Sequence, residues 1–521
     1  MKSTALKTRK KLWARLFVFT VLLLSAFYLW QALTTSQGPL VSKPATLEGS
    51  GINAYYGAPA QVPTAGTYPA LDIPQHPHLD PKRNGVHENT YNSDVTDNRG
   101  AVGRNPSVVS RRMSPFLSIC PGVLFDEEGR IMVSCLSPTW VKLVLLDPDT
   151  LEILAEEKLP RKPVRPGGKN NASGGAYIHK DAQGRIIVAP SDNTIRRYKV
   201  RETNSTFSWE LVDSLDLNPL LKAAGVDVSQ RLDITDAVPD YQGRLWFTSA
   251  FGLISYVDDS TSPVSVHIHD LGADLQNQIA IDPSGIYVVT VEALHKLSVA
   301  PDGTIRTVWR QSYDVSAGQT GLVSTGSGTT PTLLGTQDDI ITISDNSAEH
   351  LHLNLYHRED GRLICSYPVF KAGKGGAENS PTGYGDEIVL PNNYGFPGYF
   401  GGDPFAVEPG LVKISFRRDT AGAPIVESCY TIWEHYDYKA TPVPFFSTAT
   451  GLIYSYSLHK GQNGEEAWYL NLMDWETGKS VNRTWVGNGP DFDNITAQIA
   501  ITDDGGAVIT TRKGLVLVRD N

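Results

Sequence analysis

Positive charge is scarce in this chain. Its 521 residues carry 46 Lys and Arg against 56 Asp and Glu, a formal charge of −10. Six of those cations, Lys2, Lys7, Arg9, Lys10, Lys11 and Arg15, fall within residues 1–15, which hold no acid. The remaining body is therefore more acidic still. That excludes a nucleic-acid binder, because phosphate contacts need Lys and Arg gathered on one face. Familiar catalytic signatures are missing too. There is no Gly-x-Ser-x-Gly, no His-Glu-x-x-His, no Cys-x-x-Cys and no Gly-x-Gly-x-x-Gly. Gly478-Lys-Ser480 is not a phosphate loop, since position 473 is Met rather than Gly. Cysteine is limited to four residues, and a long apolar run occurs once, at Leu16–Leu33.

That run is about the shortest that spans a bilayer. Positive charges precede it and the next charge is Lys43, so the positive-inside rule puts residues 1–15 in the cytosol as a basic tail. Residues 16–33 read as a transmembrane signal-anchor, with the rest periplasmic, extracellular or lumenal. A cleaved signal peptide is the rival, but no Ala-x-Ala site follows and the run includes Tyr28 and Trp30.

What the chain does have is a repeat. An apolar strand, a tight acidic or glycine turn and a second apolar strand recur at Val123–Ile131, Ile178–Ile186, Ala237–Leu245, Ile279–Ile286, Leu334–Ile340, Thr382–Ile388, Phe446–Leu452 and Ile501–Ala507. The mean step is about 54 residues, a length that predicts an all-β propeller with one blade per repeat. Eight blades are expected over 106–521, with seven as the alternative. The last repeat ends early, so Ser107–Arg112 is the candidate closing strand that removes the exposed edge. A second turn, at Asp147–Thr150, Ala300–Gly303, Arg358–Gly361 and Trp475–Gly478, fits the outer hairpin of a blade.

The first hairpin centres on Glu127-Glu128, which places Cys120 opposite Cys135 and predicts a disulfide between them. Whether Cys365 and Cys429 meet is left open. Residues 34–73, rich in Pro, Gly, Thr and Ser, read as a flexible spacer. Residues 74–105 pack His, Asn and Asp densely and form an arm, either disordered or laid across the propeller. The aromatic-glycine stretch Asn392–Phe405 reads as a rim or lid over the central face. His267, His269, His350 and His352 read as ladder positions on strands, whereas His76 and His78 in the arm are freer to hold a metal.

The loops joining one blade to the next, together with the loops between second and third strands, share one end of the axis. They carry Asp192, Asn193, Asp233, Asp236, Glu292, Asp345, Asn346, Glu378, Asn379, Asn392, Asn393 and Asn494. Hard oxygen donors converging on an axis suit Ca²⁺ or another divalent metal.

The Asp-x-x-Gly-Arg hairpins and these axial Glu, Asn and Asp residues resemble the gluconolactonase, regucalcin and strictosidine-synthase-like propellers. That resemblance implies Glu292, Asp345, Asn346 and Asn393 as metal ligands. It also implies a metal-dependent hydrolase or lactonase, with Glu378 or Asp345 as the catalytic base beside a metal-activated water. Asp192, Asn193, Asp233, Asp236, Asn379, Asn392 and Asn494 would then contact a small-molecule or glycan-like ligand. Leu472–Trp485 is similar to the blade motif of the eight-bladed quinoprotein dehydrogenases, an oxidoreductase alternative. The motif occurs well in one blade and the vicinal cysteines of that family are missing, so a quinone is not expected. A non-catalytic scaffold that docks an envelope protein is the other reading, because propeller fold alone implies no reaction.

Overall fold

The computed structural model describes residues 38–43, 46–161, 174–228, 232–258, 264–275, 277–315, 326–398, 402–437, 439–440 and 442–521. The tail, the apolar run expected as a membrane anchor and the tip of the 392–405 insertion lie outside the described residues. Among those described, no helix is long and apolar enough to cross a membrane.

The chain is an all-β propeller. Seven sheets have four strands each, and one further sheet has seven. In chain order they begin at Ile119, Ile178, Ile234, Ala280, Thr332, Thr382, Phe445 and Ile499. They are called the first to eighth sheets here; the seventh is the seven-stranded one. Within each, consecutive strands are antiparallel neighbours running outward from the axis, and the first strands of most neighbouring sheets touch. Helix among the described residues is confined to Leu217–Ala223 and two single 3₁₀ turns.

The repeated acidic turn is made by side-chain chemistry. Asp126 Oδ1 accepts the N–H groups of Glu128 and Arg130 at 3.1 and 2.9 Å, while Oδ2 accepts Arg130 Nε at 2.7 Å. Asp181 with Arg185 and Asp240 with Arg244 repeat the arrangement. Gly129, Gly184 and Gly243 take φ of 76°, 72° and 87°, a region glycine enters without steric cost. The Asp, the Gly and the Arg are thus each required by the turn itself.

Closure follows the expected route. Ser107–Arg112 pairs antiparallel with Gly514–Arg519 and completes the eighth sheet from the other end of the chain. Cys120 and Cys135 form a disulfide with Cα atoms 4.1 Å apart. The register differs from the expected one by a residue near the turn, where Val123 faces Val133. A bulge between Ile119 and Gly122 restores Ile119 opposite Leu136, and so sets the cysteines across from each other. Cys365 and Cys429 also pair, tying the fifth sheet to the sixth.

One expectation is corrected. The spacer is not free of the propeller: Tyr55–Gly57 adds a strand to the outer edge of the seventh sheet, against Asn482–Thr484. Strand addition satisfies backbone groups that an open edge would leave to solvent. The described C-terminal end of the 392–405 insertion leans on the seventh sheet. Phe405 packs against that sheet's apolar cluster, and Lys439 Nζ donates to the carbonyls of Phe405 (2.8 Å) and Val407.

Neighbouring blades are also locked by buried charge. Lys413, fully buried, reaches Glu387 at 2.5 Å and lies 4.3 Å from the Trp475 ring centroid. Arg418 bridges Asp339 and Asp386 at 2.8 and 2.7 Å. His295 is different. It is 3% exposed, opposite Arg310, and neither ring nitrogen has a hydrogen-bond partner among the described residues. Burial, helped by Arg310 and His269, pushes its pKa down from 6.5 to about 4. Above pH 6.5 both folded and unfolded states hold it neutral. As pH falls toward 4 only the unfolded state takes the proton, so stability is lost on acidification. Relative to a His295→Leu variant, the wild-type chain is expected to lose up to about 3 kcal/mol between pH 6.5 and 4. Urea midpoints of both proteins across that range check it; parallel curves would contradict it.

Candidate functional site

The loop end of the axis is polar, as expected, but its carboxamides are engaged in holding loops together. Asn346 Nδ2 donates to the carbonyls of Gly326 and Ala377 at 2.8 and 3.1 Å, and its Oδ1 accepts the Ala377 N–H at 2.9 Å. Asn393 Oδ1 accepts the N–H groups of Glu378 and Asn379 at 3.1 and 3.2 Å. Asn392 binds the Gly376 and Tyr394 N–H groups and the Lys374 carbonyl. Gly328 is needed here, since a Cβ would stand 2.3 Å from the Ala377 carbonyl. These amides clamp loops of the fifth and sixth sheets.

The other predicted residues have similar duties. Asp345 is 1% exposed and accepts His352 N at 2.7 Å and His352 Nδ1 at 3.0 Å. That hydrogen bond raises the His352 pKa. Asp192 pairs with Arg196 at 2.7 Å. Asn193 and Asp233 occupy positive-φ positions, at 61° and 47°. Asn494, fully buried, donates to the Thr510 carbonyl at 2.7 Å. Glu292 stands apart with a side chain 59% exposed, 3.6 Å from Arg310. The donor set implied for a divalent metal does not fit one. Both amide oxygens and the Asp345 carboxylate already accept N–H groups, and Glu292 is turned toward an arginine.

Asp236 belongs instead to a second layer that the sequence reading missed. The arm is not outside the propeller; it is threaded through the hub. Its carbonyls accept N–H groups from one first strand after another. Asn84 takes Lys180 (2.9 Å), Thr90 takes Ile281 (2.8 Å) and Tyr91 takes Leu333 (2.9 Å). Ser93 takes Gly383, Asp94 takes Phe446, each at 3.0 Å, and Thr96 takes Thr448 at 2.9 Å. Gly100 N–H returns a bond to the Thr502 carbonyl at 3.1 Å. Tyr241 reaches the Pro74 carbonyl at 2.7 Å and Arg83 Nε the Val123 carbonyl at 2.6 Å. With those two, every sheet touches the arm. Val95-Thr96 even runs as a short parallel strand beside Phe446-Ser447.

Buried charge collects along this thread. Arg83, 2% exposed, pairs with Glu88, and its second amino group donates to Gln498 Oε1 at 3.1 Å. Burial pushes the Glu88 carboxyl above its usual range against the pull of Arg83. His87 Nδ1 lies 2.9 and 3.0 Å from the two oxygens of fully buried Asp94. His179 Nε2 lies 2.8 Å from Asp236 Oδ1 and 3.0 Å from the Gln278 amide, with Gly85 of the arm packed beside the His179 ring and the Gln278 side chain. The one available signal was compositional: residues 74–105 hold His, Asn and Asp with few apolar runs. His76, its ring tilted 55° against Tyr241 with centroids 4.3 Å apart, is buried, and burial with His78 lowers its pKa to about 4. Among the described residues no three His, Cys, Asp or Glu gather as a metal site.

An opening in the hub lies at the other end of the axis, where the acidic turns lie. A cleft of about 770 Å³ is walled by the arm and by the first hairpins of the first and eighth sheets. Arg83, Asn84, Glu88, Thr90 and Thr96 lie at its buried side, and Asp97, Glu127 and Asp503 are exposed at its rim.

No protein-family model matches the chain. An uncharacterized protein of Archaeoglobus fulgidus is 23% identical over 301 residues, spanning 51% of this chain and 56% of the relative. The chain thus matches little more than half the length of that relative. Among solved structures, an inactive virginiamycin B lyase variant from Staphylococcus aureus with quinupristin overlaps 80% of this chain and 99% of its own, at 9% identity and a TM-score of 0.37. Dihydro-heme d1 dehydrogenase NirN covers 84% and 79%, at 11% identity and 0.43. A quinohemoprotein alcohol dehydrogenase from Pseudomonas putida HK5 covers 84% and 80%, at 10% identity and 0.47. Likenesses of this grade say nothing about chemistry. It is the sheet topology that makes this chain a β-propeller, with two disulfides and an arm through its hub.

Proposed function

We propose that this is a membrane-tethered, extracytoplasmic propeller of eight blades that binds a polar small molecule at its axis. The blade count takes the seven-stranded sheet as one blade, because Phe445–Ser447, Leu452–Lys460, Glu466–Asp474 and Ser480–Asn488 repeat the outward order of the others. Its three extra strands add to these four: Tyr55–Gly57 and Val95–Thr96 at the ends of the strand order, and Lys439–Ala440 beside Leu452–Lys460. Two disulfides support an oxidising compartment, and the cationic tail before the apolar run supports a cytosolic N-terminus. Fusing alkaline phosphatase after Asn521 is expected to give an active enzyme in whole cells; an inactive one would overturn the orientation.

The observation that carries the binding reading is the axial cleft of about 770 Å³ at the hairpin end. That volume lies in the usual range for small-molecule sites, about 300–1,000 Å³. The reading is of binding rather than hydrolysis, since Asp345, Asn346 and Asn393 spend their polar atoms on backbone groups. A thermal-shift panel of polar small molecules and Ca²⁺ against the full chain tests it. A stabilising compound is expected whose effect disappears in Ala70→Trp, which fills the cleft wall. A compound insensitive to Ala70→Trp but abolished by Glu292→Ala with Asn346→Ala would move the site to the loop end.

A further inference from the structure

The cleft's chemistry narrows its ligand, on the footing that the binding reading above is right. Nine carboxylates line it against four cations. Three of those cations are already committed: Arg83 to Glu88, Lys180 to Asp80 at 2.9 Å, and Arg519 to Asp149 and Asp504. Lys82 is the remaining one. On the carboxylate side, Asp126 and Glu128 share Arg130, which stands outside the lining. Among the described residues Asp97, Glu127 and Asp503 form no ion pair and no hydrogen bond, and all three are exposed at the rim. The mouth therefore presents uncompensated negative charge over low-dielectric walls, which focuses the field and concentrates cations.

A second observation lies deeper. Asn84 is 6% exposed and lines the cleft. Its Nδ2 donates to the Asp80 carbonyl at 2.9 Å, while its Oδ1 has no hydrogen-bond partner among the described residues. A buried acceptor without a donor costs free energy, on the order of 1–3 kcal/mol. An ammonium group supplies donors and no acceptor, and so answers both the orphan oxygen and the rim carboxylates.

We infer that the axial cleft takes a small organic cation carrying two or more ammonium groups, one directed to Asn84 and others to Asp97, Glu127 and Asp503. A bare metal ion answers the geometry less well, because a cleft of this size would leave it mostly hydrated while the apolar wall of Leu71, Ile73, Val95 and Phe125 stayed unused.

Calorimetric titration of the full chain in detergent tests this, with spermidine as the probe and its triacetylated, uncharged form as control. Spermidine is expected to bind and the control not to. The Glu127→Gln/Asp503→Asn double variant, altered only at exposed positions, is expected to weaken spermidine about tenfold without moving the melting temperature. Equal binding of both compounds, unchanged affinity in the double variant, or absence of spermidine binding would each overturn the inference. CaCl₂ that binds with the same variant dependence while spermidine does not would do so as well. Ala70→Trp separates the two levels. If it abolishes a neutral compound's binding while spermidine never binds, the cleft reading stands and the cation inference falls. If it abolishes no ligand's binding, the cleft reading itself fails.

Discussion

Replacing Arg83 with methionine is expected to destabilise the chain by about 3–5 kcal/mol. Besides its Glu88 partner, four structural links meet at this guanidinium. It ties the arm to the first sheet through the Val123 carbonyl, to the eighth through Gln498 and to itself through the Val86 carbonyl at 3.1 Å. It also lies 5.1 Å from the Phe445 ring centroid of the seventh sheet. Methionine keeps most of the stem and removes every donor. The larger part of the loss comes from what is left behind, a buried Glu88 carboxyl with no cation beside it. Adding Glu88→Gln to Arg83→Met is therefore expected to recover about 1–2 kcal/mol. Denaturant midpoints at unchanged m-value read both effects. A single-variant loss below about 1 kcal/mol, the range of an exposed pair, would mean the arm contributes little to the hub.

Removing the Cys365–Cys429 bridge, with both residues changed to alanine, is expected to cost about 4 kcal/mol. The bridge closes 64 residues of sequence, and in the unfolded chain its loss restores the entropy of that loop. Cys365 lies on the outer strand of the fifth sheet and Cys429 immediately before that of the sixth, so the staple also holds two blades together at their rims. The same change at Cys120 and Cys135, which close only 15 residues within one hairpin, is expected to cost less, about 3 kcal/mol. Equal unfolding midpoints with and without a reductant would contradict both figures.

Local chemistry was legible in the sequence. The Asp-x-x-Gly-Arg turn reads directly because one carboxylate, one glycine and one guanidinium do all of its work within five residues. The Ser107–Arg112 closure could be counted, since the final repeat lacks a strand. The Cys120–Cys135 pair was found although the hairpin register is one residue off, because a bulge compensates. The longer bridge was not legible, since pairing across blades depends on how sheets stack rather than on a hairpin's register.

The duties of the axial carboxamides were not legible, for a physical reason. A carboxamide that clamps two loops and one that ligates a metal look alike in sequence; only the N–H groups at Asn346 and Asn393 Oδ1 distinguish them. The arm was half legible. Its composition set it apart, but it bonds the hub chiefly through main-chain carbonyls, which carry no residue signature. His87, Asp94, His179 and Gln278 acquire their positions only from that threading.

Hydrogen exchange at four backbone amides tests the threaded hub most directly. Ile281, Leu333, Gly383 and Phe446 give their N–H groups to arm carbonyls at Thr90, Tyr91, Ser93 and Asp94 rather than to a neighbouring strand. All four are expected to exchange as slowly as the amides inside the sheets, such as that of Tyr287. Exchange at those four as fast as at the exposed amide of Asp503, with Tyr287 still protected, would mean that the arm does not occupy the axis.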